Sequence, residues 1–359
     1  MARTMTRRHL PWFVIGTLCV VALAGFFFMV WLTSPVASVS EPSPRLVEIP
    51  EGASFRQVAA LLEQRQVIRS RLAFTLLGKL TSADRRIIPG EYALDPAMRP
   101  REILSKLLGG QIVLHPVTIP EGYTVAQVAA VLDEKGVVNG KEFLNLTHDR
   151  EFNLATFHLD RENLEGYLFP DTYHFPRNTK PKEVVTAMVE GLWRVFTPEW
   201  RSRADDIHLS VHEVLTLASV IEKETGAEHE RVVISSVFHN RLRRRIPLQS
   251  DPTVIYGLSA FDGNLKKRDL ERTTPYNTYR IAGLPPGPIA NPGSRSIRAA
   301  LYPAATTYLY FVSKNNGTHH FSSTLREHNQ AVDTYQRRRL EPAKRASPKR
   351  PHPKVETGA

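Results

Sequence analysis

IPEGASFRQVAALL at residues 49–62 and IPEGYTVAQVAAVL at residues 119–132 are two copies of one pattern, offset by 70 residues. Beyond the shared Ile-Pro-Glu-Gly, Gln57 matches Gln127, Val58 matches Val128, Ala59 and Ala60 match Ala129 and Ala130, Leu62 matches Leu132, and Val67 matches Val137. In each copy a short apolar run (Leu46–Ile49, Val117–Ile119) precedes the Pro-Glu-Gly turn and reads as a strand. Ser54 and Thr124 then stand where a helix N-cap belongs, followed by apolar residues at helical spacing. Val58, Leu61, Leu62 and Val67 are expected to make one buried face. The pattern predicts an α+β fold in which a small strand–turn–helix unit is used twice. Repetition by itself specifies packing, not a ligand.

Upstream of the repeat, Pro11–Thr33 is 23 residues without a charge. A helix of that length is about 35 Å long, enough to cross a hydrocarbon core of about 30 Å. Trp12 and Trp31 sit near its two ends, where aromatic rings prefer the interface. Arg3, Arg7 and Arg8 precede it, and no Lys or Arg follows before Arg45. The positive-inside rule then places residues 1–10 in the cytoplasm and residues 34–359 outside, on a single-pass membrane protein. The apolar stretch exceeds the roughly 7–15 residues of a cleaved signal peptide. Residues 34–45, with three prolines and four serines, read as an extended linker.

The chain has 47 Lys+Arg against 36 Asp+Glu, but most of the surplus lies in the two tails. Residues 337–359 alone hold eight Lys/Arg and two Glu. This proline-containing basic tail reads as disordered. The folded middle is near neutral, which removes the main reason to expect nucleic acid. The single cysteine, Cys19, lies in the apolar span and allows neither an internal disulfide nor a cysteine-based zinc cage.

Residues 211–311 carry the chemistry. Val211, Val214, Leu215, Ala218 and Ile221 recur every three or four residues and predict a helix over 211–225. Glu222 falls four residues after Ala218 and seven after Leu215, so it extends the apolar stripe. Desolvation there favours its protonated form, which a general acid requires. The bland alternative is a helix-end carboxylate paired with Arg231 or Arg241. Glu224, three residues past Ile221, and Glu228 compete for the acid role on the same spacing. A second amphipathic helix over 231–242 ends in Arg243-Arg244-Arg245, a solvated terminus that suits the helix dipole. Gln249, Ser250 and Asp251 follow on a proline-bounded loop, and residues 275–279 and 283–293 form further proline-rich loops. Their rings and amides suit sugars, although ordinary turn chemistry selects many of the same residues.

Several blocks in order are more specific than one motif. Leu164–Tyr173 (LEGYLFPDTY), Leu217–Thr225 (LASVIEKET), Val237–Leu242 (VFHNRL) and Leu248–Gly257 (LQSDPTVIYG) resemble the endolytic murein transglycosylase (YceG-like) family. So do Pro275–Tyr279 (PYNTY), Gly283–Ile289 (GLPPGPI), Pro292–Gly293 and Tyr308–Val312 (YLYFV). The resemblance implies a lyase that cuts the β-1,4 bond between N-acetylmuramic acid and N-acetylglucosamine within nascent glycan strands. Its products would carry 1,6-anhydro-muramic ends. It implies no cofactor and no metal, peptidoglycan as substrate, a bacterial cytoplasmic (inner) membrane as the site of the anchor, and peptidoglycan synthases of that membrane as partners. It assigns the acid/base to the first glutamate of the Glu-Lys-Glu-Thr block, Glu222. By looser analogy with other lytic transglycosylases, Gln249, Tyr276 and Asn277 would contact substrate. It divides the ectodomain into a LysM-like subdomain, 46–112, and a region, 113–336, holding the second repeat and the catalytic domain.

Other classes fit less well. No HExxH spacing accompanies His229, His319, His320 or His328, and no G-x-S-x-G, phosphate loop or dinucleotide motif occurs. A non-catalytic, membrane-tethered wall-binding scaffold shares the anchor, the repeats and the loops. The absence of anhydro-muramic products would distinguish it.

Overall fold

The computed structural model describes residues 10–36, 43–83, 87–224 and 227–337. The basic N-terminal residues 1–9, much of the linker and the tail after Arg337 lie outside the described residues. The fold is mixed α+β, and its chain divides into two compact units.

Unit 1 runs to Val117 and also takes in 136–138 and 174–179. It opens with helix α1 (Leu10–Leu32), whose stretch Ile15–Leu32 is apolar and has no buried residue. Strand β1 (Arg45–Ile49) pairs antiparallel with β2 (Gly90–Leu94), Val47 opposite Tyr92. Helices α2 (Phe55–Gln64), α3 (Arg71–Leu80) and α4 (Pro100–Leu108) complete the unit. The first repeat folds as its pattern dictates. Ser54 Oγ accepts the Gln57 N–H, and Gln57 Oε1 accepts the Ser54 N–H at 2.8 Å, a reciprocal cap that fixes where α2 starts. Val58, Leu62 and Val67 are buried as anticipated, and Leu61 is partly so. The Tyr92 ring lies wholly inside with them, and its hydroxyl donates to the Ile88 carbonyl at 2.6 Å.

Chain order continues with β3 (His115–Thr118), α5 (Val125–Glu134), α6 (Gly140–Thr147), α7 (Arg150–Phe157) and β4 (Thr172–Phe175), and β3 pairs with β4. The second repeat belongs to unit 2, which holds 118–135, 139–173 and everything from 180 onward. Thr124 and Gln127 cap α5 by the same reciprocal bonds. The turn before α5 is fastened within unit 2: the Gly122 N–H donates to the Asn291 carbonyl and the Asn291 N–H to the Tyr123 carbonyl, each at 2.9 Å.

Helices α8 (Pro181–Val195), α9 (Pro198–Asp206) and α10 (Val211–Glu224) follow. Then come α11 (Arg231–Arg243), α12 (Asp251–Tyr256), α13 (Lys267–Glu271) and α14 (Ser294–Leu301). A hairpin of β5 (Tyr310–Ser313) and β6 (His319–Ser322) and helix α15 (Leu325–Val332) close the unit. α10 is its central element, packed by α9, α11, α12 and α14. Every residue from Val214 to Ile221 is buried, so this helix is covered on all sides. The single apolar stripe read from the sequence is therefore only part of its contact surface. Its last turn, carrying Glu222 and Glu224, is where polar groups begin.

Candidate functional site

The two glutamates at the end of α10 have different surroundings. Glu222 Oε1 lies 3.0 Å from Arg231 Nη2, and Glu222 Oε2 accepts the Gly293 N–H at 3.0 Å. The Glu222 side chain is 6% exposed and that of Arg231 8%. The network continues outward: Arg231 stands 3.9 Å from Glu121 of the second Pro-Glu-Gly turn, and Arg295 bridges Glu121 at 3.7 Å and Glu228 at 3.1 Å. Both Glu222 oxygens thus face donors. This is the helix-end ion pair that the spacing left open as the alternative, with Arg231 as the partner.

Glu224 faces an open cavity of about 400 Å³ lined also by Arg241, Leu248, Gln249, Asp251, Tyr279, Tyr310 and His328. Its Oε1 accepts a short hydrogen bond from the Ser250 hydroxyl. Burial pushes its carboxyl up to about 7, with the charge of Asp251 adding to the rise and the Ser250 hydrogen bond opposing it. The next residue, Asp251, accepts the Tyr279 hydroxyl at 2.6 Å. Burial and this bond to a carboxylate keep the Tyr279 phenol protonated.

The floor of the cavity is rigid. Arg241, almost fully buried, donates to the carbonyls of Leu309 (2.7 Å), Pro247 (2.9 Å) and Leu248 (3.1 Å) and to Gln249 Oε1 (3.0 Å). Its guanidinium lies 5.1 Å from the Tyr310 ring centroid. Gln249 has φ 55°, a left-handed backbone held by the bond from its N–H to the Thr278 carbonyl at 3.1 Å. Strain of this kind persists where surroundings over-determine it, and functional sites are the commonest such places.

A second cavity in unit 2, about 520 Å³, is lined by Arg161, Glu165, His212, Tyr276 and Pro286–Pro288. Burial pushes the Glu165 carboxyl up to about 7 as well. Its oxygens are already taken by the Val125 N–H at 3.1 Å, Asn291 Nδ2 at 3.3 Å and the Tyr256 hydroxyl at 3.3 Å. Glu165 therefore braces the start of α5 and the loop at Asn291 while lining this cavity, so each raised carboxyl has substrate-sized space beside it.

The anticipated site residues separate accordingly. Gln249 shares the cavity of Glu224, whereas Tyr276 lines the other one, its ring 4.8 Å from that of Tyr256. Asn277, also expected to contact substrate, lies in neither lining. It is fully buried, its amide donates to the carbonyls of Leu270 (3.0 Å) and Arg272 (2.6 Å), and its Oδ1 accepts the Tyr279 N–H at 3.0 Å. It pins the loop that carries Tyr279. Sequence reading passed over Asp251, Tyr279 and Arg241 as a group, because nothing in their spacing places three segments around one cavity. His319, which might have suggested a metal, bonds Glu230 through Nδ1 at 2.7 Å. Among the described residues no group of three or more His, Cys, Asp or Glu is placed to hold a metal ion.

A family model described as YceG-like matches residues 47–334. A Bacillus subtilis protein named endolytic murein transglycosylase is 37% identical over 323 residues, 85% of this chain and 88% of that protein. A Streptococcus pneumoniae protein of the same name is 28% identical over 360 residues, 90% of this chain and 65% of its own length. The crystal structure of a YceG-like protein from Listeria monocytogenes superposes with a TM-score of 0.54 at 35% identity, covering 81% of this chain and 99% of that one.

Proposed function

The chain belongs to the YceG-like family, and on that premise we propose that it is a lyase, a lytic transglycosylase that cleaves glycan strands of peptidoglycan from within. The names of its relatives support the activity and the substrate. One observation carries the mechanism: Glu224, whose carboxyl is raised to about 7, stands beside an open polar cavity. Family resemblance pointed to Glu222, whose oxygens are held by Arg231 and Gly293; the raised carboxyl beside the cavity supports Glu224 as the proton carrier.

In this reading protonated Glu224 gives its proton to the glycosidic oxygen as the C1–O bond breaks. The acetamido oxygen of the sugar and the carboxylate of Asp251 offset the positive charge that develops at C1. Glu224, now a carboxylate, takes the proton of the C6 hydroxyl, whose oxygen closes on C1. The ring formed is the 1,6-anhydro-muramic end, and no water is consumed. A group with its pKa near 7 can play both parts at neutral pH.

α1 would anchor the enzyme with its N-terminus in the cytoplasm and the catalytic unit outside, near newly made strands and the synthases that make them. Such tethering raises local encounter without contact energy. Unit 1 would be a LysM-like module that contacts glycan.

The test is mass spectrometry of the muropeptides released from purified glycan strands. Glu224→Gln should retain the fold and lose strand cleavage by about 10²–10⁴-fold, the usual worth of a general acid. Glu222→Gln should keep a measurable yield of anhydro ends. The opposite ranking would return the acid role to Glu222. Free reducing muramic ends from the wild type would overturn the transglycosylase reading.

A further inference from the structure

Helix α3 of unit 1 has apolar residues on two opposite faces. The inner face belongs to the core: Phe74 is buried with its ring stacked 5.5 Å from Phe55, and Gly78 lies against the same Phe55 ring. On the outer face stand Leu72, Leu76 and Leu80, which are 77%, 44% and 76% exposed. They recur at every fourth position and so form one continuous stripe. The outer face of a surface helix is ordinarily polar. Three leucines in a row, left in water, need a partner.

Their position says which. A groove of about 540 Å³ has one wall made by Ala73, Leu76, Leu77 and Leu80 of α3 and the other by Met29, Val30 and Thr33 at the end of α1. Arg69, two residues before α3, ties the two walls together. Its Nε donates to the Pro35 carbonyl at 2.9 Å, its Nη2 donates to the Val36 carbonyl at 3.3 Å, and its guanidinium lies 5.2 Å from the Trp31 ring centroid. The leucine stripe therefore sits level with the last turn of the apolar helix. That is the height at which such a helix leaves the hydrocarbon and at which tryptophan prefers to lie. Arg99 and Arg101 border the same groove, and Arg71 and Lys79 lie on α3 itself. Long basic side chains at that level can bury their stems and place their charges among anionic headgroups.

We propose that α3 is a second membrane contact: its Leu72–Leu76–Leu80 face lies in the interfacial layer of the bilayer that α1 crosses, with Arg99, Arg101 and Lys79 directed to anionic lipid headgroups. The inference rests on reading α1 as a membrane span. Two points of attachment hold unit 1 against the membrane surface, where a single helix would let it swing.

The experiment uses the full chain reconstituted in vesicles of mixed phosphatidylcholine and phosphatidylglycerol. An environment-sensitive fluorophore is attached either to the native Cys19, within α1, or to Leu76→Cys in a Cys19→Ala background. Arg56→Cys in that background, on the exposed side of α2, serves as the water-facing reference. Phospholipids brominated along the acyl chain should quench the probes at 19 and 76 and leave the probe at 56 unchanged. The probe at 76 should also be blue-shifted and shielded from iodide in the water. Lipid quenching at 19 without quenching at 76 would overturn the α3 contact and leave the anchor standing. A probe at 76 shielded from iodide yet untouched by brominated lipid would also overturn it, and would assign the stripe to protein, a second copy included. No lipid quenching at 19 would remove the anchor and the inference together. Replacing all three leucines by serine should leave the Cys19 signal intact and increase hydrogen exchange in α3 in the presence of vesicles; unchanged exchange would count against the contact.

Discussion

Glu222 and Glu224 flank a single residue, Lys223, and that spacing turns one carboxyl toward Arg231 and the other toward the cavity. At this scale the decisive quantities are local charge and solvent access. Asp251 raises the pKa of Glu224, so Asp251→Asn should lower it. The acid must be protonated to work, and the alkaline limb of kcat/KM should then move to lower pH. A pH–rate profile checks this, and a limb that stays in place would separate Asp251 from the proton chemistry. Gln249 offers a different test. Its left-handed backbone costs a side-chain-bearing residue roughly 1–2 kcal/mol. Gln249→Gly removes that cost and also the amide that Arg241 holds at 3.0 Å. Thermal unfolding should show no loss of stability while strand cleavage falls.

Helices show how far a repeated pattern constrains structure. Ser54 and Thr124 start α2 and α5 with the same reciprocal cap, since capping is settled by four consecutive residues. What the helices then pack against is not repeated. α2 lies against α3, and close approach there depends on Gly78: a β-carbon at that position would stand 2.2 Å from the Phe55 ring. Gly78→Ala should overpack the unit 1 core and destabilise it by about 1–3 kcal/mol. Faster hydrogen exchange across α2 and α3, with unit 2 unaffected, is the expected readout. α5 begins instead on the Glu165 carboxylate, which bonds the Val125 N–H. The sequence stripe on α10 was real but incomplete. Burial on every side of Val214–Ile221 means that periodicity could not tell which of two following glutamates would meet the cavity.

Over the whole molecule, the two buried carboxyls make unit 2 sensitive to pH. Glu165 and Glu224 are each raised from an ordinary carboxylate value to about 7. A group whose pKa is higher folded than unfolded binds its proton more tightly when folded. Its contribution is full below the unfolded value near 4.5 and is lost as pH rises toward 7. These two carboxyls should therefore favour the folded unit 2 more at pH 5 than at pH 8, while His212, His239 and His328, whose pKa values burial lowers, act in the opposite direction. Denaturant titrations at the two pH values measure this, and Glu165→Gln should flatten the difference. The sequence by itself determined the α+β class, the apolar N-terminal helix, the capped helix of each repeat and the family, because each of these is written in contiguous residues. It also narrowed the chemistry to a few glutamates at one helix end. Only the tertiary structure shows what surrounds each of them. Ser250, Asp251, Tyr279 and Arg241 come from three separated segments, and only chain folding sets burial and neighbouring charge, the two quantities that raise a carboxyl to about 7.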